Sequence, residues 1–156
     1  MRKVVKNAIF STAFVVSASA ATAGPDQVSI LLGSHHVGAT RSFEEFNPGL
    51  FLTWTEVAIG QRVDLTVGAF RNSYGDGSLA VSGAYPLYRT EVWGFDLFAG
   101  LAWYPGNGDQ FGHAIDDMVP LAGAQMRYRN LFMQALPAGG NSVDATLTFG
   151  LTFSLD

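Results

Sequence analysis

The chain has 156 residues, enough for one domain, and no cysteine, so no disulfide framework supports it. Its formal net charge is −4, and three of the nine cationic side chains (Arg2, Lys3 and Lys6) sit at the N-terminus. The remainder is therefore more acidic still, which argues against a nucleic-acid partner. Charged residues make up only 14% of the chain, against 13% aromatics and 18 glycines, which excludes both a disordered chain and an ordinary charged soluble surface.

The basic start is followed by a run of apolar and small residues from Ala8 to about Ala20, and then by Ala21-Thr22-Ala23. This pattern predicts a secretory signal peptide over residues 1–23, with the mature chain, 24–156, starting near Gly24. The run is short for a membrane-spanning helix. An exported chain that is rich in glycine and aromatics and lacks cysteine reads as an outer-membrane β-barrel of a Gram-negative bacterium.

Strands are predicted over 27–36, 48–58, 62–72, 78–87, 92–104, 119–128, 131–137 and 144–155. In the first, Val28, Ile30 and Leu32 alternate with smaller or polar residues, as one face of a strand does. In the fifth, Trp93, Phe95, Leu97, Ala99, Leu101 and Trp103 share one face, and Gly94, Asp96 and Gly100 fall on the other with Phe98. The two tryptophans lie roughly 33 Å apart along such a strand, and a tilt near 40° brings this to about 25 Å, the height of an outer-membrane apolar band. Trp54, Trp93 and Trp103 read as interface anchors. In the last strand, Ala145, Leu147, Phe149, Leu151, Phe153 and Leu155 alternate with Asp, Thr, Gly and Ser. Eight short antiparallel strands close a barrel without an unpaired edge.

Short connections (58–61, 88–90 and 129–130) alternate with mostly longer ones (37–47, 73–77, 105–118 and 138–142). Short turns belong on the periplasmic side and long loops outside. The ends of the first and third strands then share the extracellular rim, which brings His35 and His36 towards Asn72, Ser73 and Asp76. An imidazole beside a hydroxyl, with a carboxylate to orient it, is the constellation of acyl chemistry. Asn-Ser before a glycine is also ordinary turn composition. His113, Asp116 and Asp117 in the longest loop match no standard metal spacing and read as solvated loop residues, so no metal and no cofactor is expected.

Ala69-Phe70-Arg71-Asn72-Ser73-Tyr74 resembles the alanine-phenylalanine-lysine-aspartate-serine-tryptophan stretch of the outer-membrane lipid A palmitoyltransferases, the PagP family. Ser34-His35-His36-Val37 falls where that family has its threonine-tryptophan-histidine segment. Asn47-Pro48-Gly49, Val119-Pro120-Leu121-Ala122-Gly123 and 132–139 are similar to its second, sixth and seventh strands. The resemblance implies an enzyme that moves a palmitoyl chain from a donor phospholipid to a hydroxyl of lipid A, with membrane lipids as partners and a monomeric barrel. Carried over residue by residue, the reactive set falls on His36, Asn72 and Ser73, with His35 and Asp76 in reserve. Pro120 and Pro137 fall where lipids enter laterally.

The chain departs from the family in three places. Asn72 replaces the aspartate, no amphipathic helix precedes the first strand, and the C-terminus is not aromatic. Strand parity also places His36 with the lipid-facing Val28, Ile30 and Leu32, and His35 inward. The resemblance selects His36, and a bulge at Gly33 would reconcile the two. A non-catalytic lipid-binding or structural barrel is the alternative that Asn72 keeps open. A lipid A deacylase, which carries a histidine and then a serine two residues on, finds no match at either rim histidine.

Overall fold

The computed structural model describes residues 24–138 and 142–155. The predicted signal peptide lies outside these residues, as do Gly139 and the terminal Asp156. The described residues form eight strands: β1 (Gln27–Val37), β2 (Gly49–Ala58), β3 (Val63–Arg71), β4 (Gly77–Arg89), β5 (Trp93–Trp103), β6 (Met118–Tyr128), β7 (Leu131–Pro137) and β8 (Ala145–Ser154). They pair antiparallel in sequence order, and β8 closes on β1. This is the closed eight-stranded antiparallel barrel that the alternation and spacing predict. We call the mouth where β1 ends the upper rim and the mouth where it begins the lower rim.

The outer face carries a broad apolar band. Leu79, Leu97, Leu101, Phe149 and Met133 are all exposed, which leaves a band that water would not stabilise. Near the lower rim, Trp93 stacks on Phe95 and packs against Tyr128, with the Arg129 guanidinium over the Tyr128 ring. Aromatic rings with a cation beside them are the girdle of an outer-membrane-type barrel.

Inward-facing phenylalanines lie over glycines on the neighbouring strand. Phe51 faces Gly68, Phe98 faces Gly123 and Phe132 faces Gly150. A Cβ at Gly68 would come within 2.1 Å of the Phe51 ring, so only glycine leaves room for it. These rings form an apolar middle layer with Leu31 and Val119. Below it, Arg89 reaches inward between Asp64 and Asp96, 3.0 Å from the latter. Gln125 donates to Asp96 and accepts from Gln134, which in turn accepts from Thr148. The lower half of the interior thus carries a polar network whose side chains line the barrel cavity.

Alternation is interrupted at three places. The register of β1 against β8 shifts between Leu31 and Gly33, that of β2 against β3 between Trp54 and Ala58, and that of β4 against β5 between Pro86 and Tyr88. An extra residue turns every side chain beyond it to the opposite face. The third shift aims Arg89 at the two carboxylates.

Candidate active site at the upper rim

The shift in β1 decides which histidine enters the barrel. Leu31 faces inward and pairs with Gly150; Gly33 pairs with Phe149, so Leu32 is the extra residue. Ser34 and His36 are then buried, whereas His35 is exposed. His35 Nδ1 lies 3.0 Å from Glu45 Oε1 on the outside. The His36 ring stacks on Phe43, with centroids 4.3 Å apart and planes 14° from parallel. Its Nδ1 is buried and has no hydrogen-bond partner.

Asn72 lies at the end of β3 and is fully buried. Its Oδ1 accepts from the backbone N–H groups of Tyr74 and Asp76, and its Nδ2 donates to Ser78 Oγ. Its own backbone N–H donates to the Asp76 carbonyl, and its carbonyl accepts from Gly75 N–H. The side chain therefore builds the β3–β4 turn, with both its oxygen and its nitrogen engaged there. Ser73, next along that turn, is half-buried and lines the same cavity as His36. Asp76 points away, with Oδ2 accepting from Asn107 Nδ2 at 2.8 Å in the β5–β6 loop. The rim thus brings His36 and Ser73 to one cavity, and turns His35 and Asp76 elsewhere.

The cavity has a volume of about 290 Å³. Aromatic rings run from its mouth to the middle layer: Phe43 against Tyr74, Tyr74 and Tyr104 against Phe111, Tyr104 against Phe70, and Phe70 against Phe51. Arg41 caps this row. Its guanidinium lies over Phe43 and Tyr74 and donates to Tyr74 Oη and Gln110 Oε1. Burial pushes the Tyr74 and Tyr104 phenols above their ordinary value, against the pull of Arg41 on Tyr74, so both stay neutral.

Two strand ladders stop short of the upper rim. β6 pairs with β7 only from Ala124 and Ala135 downward, and β1 pairs with β2 only as far up as Leu31 and Gly49. Pro120 and Pro137, above the end of the first ladder, are exposed on the outer face yet also border the cavity. A proline has no N–H to give to a ladder, which suits both to an unpaired seam.

One residue of the rim was not among the sequence candidates. Asn47 is buried, accepts from the Ser34 hydroxyl through Oδ1, and leaves Nδ2 without a partner. The signal available in sequence was its position before Pro48-Gly49, which reads as a turn. In the long loop, the Asp117 carboxylate accepts from the Gly106 and Gly108 N–H groups, and His113 packs edge-on against Phe111. Among the described residues no group of three His, Asp or Glu side chains is placed to hold a metal ion.

No protein-family model and no curated protein matches the chain. Among solved structures, the N-terminal β-barrel domain of OprF from Pseudomonas aeruginosa is similar, with 17% identity and a TM-score of 0.42 over 84% of this chain and 100% of that one.

Proposed function

We propose that the protein resides in the outer membrane of a Gram-negative bacterium and acts there on acyl chains. In this reading it moves a palmitoyl-type chain from a phospholipid to a hydroxyl of lipid A, as the PagP-type enzymes it resembles in sequence do. The observation that carries the proposal is His36: buried, turned inward at the rim, with Nδ1 unpartnered beside an apolar chamber. A donor phospholipid enters through the seam at Pro120 and Pro137 and lays its acyl chain among the phenylalanines. Its ester carbonyl then sits at the level of His36.

The imidazole takes the proton of the acceptor hydroxyl as that oxygen bonds to the carbonyl carbon. It returns the proton to the oxygen of the departing lysophospholipid when the old ester C–O bond breaks. Ser73 contributes a hydroxyl to the same cavity, and Asn72 acts on it indirectly, by holding the turn. The full engagement of Asn72 in that turn, with no carboxylate on His36 Nδ1, favours the second reading, a barrel that binds lipid without catalysis. Expression in a Gram-negative host with mass spectrometry of lipid A separates the two. An added acyl chain that disappears in His36→Ala and Ser73→Ala supports transfer. Unaltered lipid A with the barrel correctly inserted supports the passive reading.

A further inference from the structure

Asn47 is placed like a group waiting for an oxygen. It is 3% exposed, it lines the rim cavity, and its Nδ2 has no partner. Folded proteins leave few buried donors unmatched, because such a group has lost its water and received nothing in exchange. Its orientation is set from outside: the Ser34 hydroxyl donates to Oδ1, which directs the two N–H bonds of the amide away from Ser34. Ser34 is itself held, its backbone N–H donating to the Glu45 carbonyl at 2.9 Å. The Pro48 carbonyl, next to Asn47, accepts from Arg71 N–H at 2.9 Å, so the chain on that side is fixed as well. Among the described residues the other orphaned buried side-chain atom is His36 Nδ1, two residues beyond Ser34 on the same inward face and lining the same cavity. A buried donor and a buried ring nitrogen, both without partners and on residues that line one cavity, fit a ligand with a polar head, and the aromatic rings below fit an apolar tail.

We propose that the Asn47 amide, oriented by Ser34, is the seat of the ester carbonyl of the bound phospholipid. It donates a hydrogen bond through Nδ2 to the carbonyl oxygen and so holds the carbonyl carbon at His36. The proposal rests on the acyl-lipid reading above and adds the group that recognises the ester. An amide N–H fixed before the substrate arrives also suits the negative charge that grows on this oxygen as the acceptor hydroxyl attacks.

The purified full-length barrel in detergent is tested with dipalmitoyl phosphatidylethanolamine and with its dihexadecyl ether analogue, which has the same head and chains but no carbonyl. The wild type should bind the ester about 5- to 10-fold more tightly, the value of one hydrogen bond. Asn47→Ala should bind both lipids equally, with its affinity for the ether unchanged. Asn47→Asp guards against a folding defect in the alanine variant. It keeps the volume and the acceptor for Ser34 but replaces the donor, and it too should lose the ester preference. A preference that survives in both variants, or a wild type that binds ester and ether alike, overturns the seat and leaves the acyl-lipid reading intact. A wild type that binds neither lipid overturns both.

Discussion

His36 faces the barrel interior and His35 faces Glu45 outside, the reverse of what the alternation of Val28, Ile30 and Leu32 implies. The cause is the extra residue Leu32, which has no partner on β8. In the proposed reaction, His36→Ala should therefore lower acyl transfer by about 10²- to 10⁴-fold, the usual share of a general base. His35→Ala should stay near wild type. Deleting Leu32 removes the bulge but keeps the pairing of Gly33 to Val37 with β8, so His36 stays inward; if that variant still inserts, its transfer rate should stay near wild type. Lipid A mass spectrometry on all three reads the result.

Asn72 and Ser73 are neighbours with different expected failures. Asn72→Ala removes one donor and one acceptor from a buried turn and strands the partners of both. It should cost about 2–3 kcal/mol in urea unfolding from lipid vesicles. Ser73→Ala should leave that midpoint within about 0.5 kcal/mol, as expected away from packed or bonded groups. A stable Asn72→Ala would show that the turn does not need the amide.

Arg89 lies between two buried carboxylates. Arg89→Leu leaves Asp64 and Asp96 without their cation and should destabilise the barrel by about 3–5 kcal/mol. The triple variant with Asp64→Asn and Asp96→Asn removes the stranded charges and should recover most of that loss. Failure of the triple variant to recover would mean that packing of the arginine stem, rather than charge, supports the floor. Unfolding midpoints in urea decide between them.

Gly68 tests how closely the interior is packed. A methyl group there meets the Phe51 ring and the Leu50 carbonyl, so Gly68→Ala should cost about 1–3 kcal/mol. Combining it with Phe51→Leu should cost less than the sum of the two single changes, because the ring is what the methyl group strikes. A double variant whose loss is simply additive would place the clash on the backbone carbonyl instead.

Much of the barrel was legible in the chain because its evidence is local. The fifth strand states its two faces outright, with Trp93 to Trp103 outward and Asp96 and Phe98 inward, as found. The threonines at 146, 148 and 152 face inward on the last strand, as its alternation requires. The turn at Asn72-Ser73 was legible as a turn. That Asn72 would spend both ends of its amide there was not, since this depends on Ser78 coming back along β4. Asn47 was hidden for a similar reason: its meaning lies in the Ser34 hydroxyl of another strand.

From its residue order alone, this protein is an antiparallel barrel of eight strands with an apolar exterior, because side-chain alternation has a period of two and each strand writes it independently. Which side chains stand inside the upper mouth was decided only by the closed fold. A one-residue bulge leaves the composition of a strand unchanged but reverses every direction beyond it, and whether a strand bulges depends on the partner it must match. The placement of Ser34, His36 and Arg89 followed from that matching, and so did the bond that orients the Asn47 amide on Ser34.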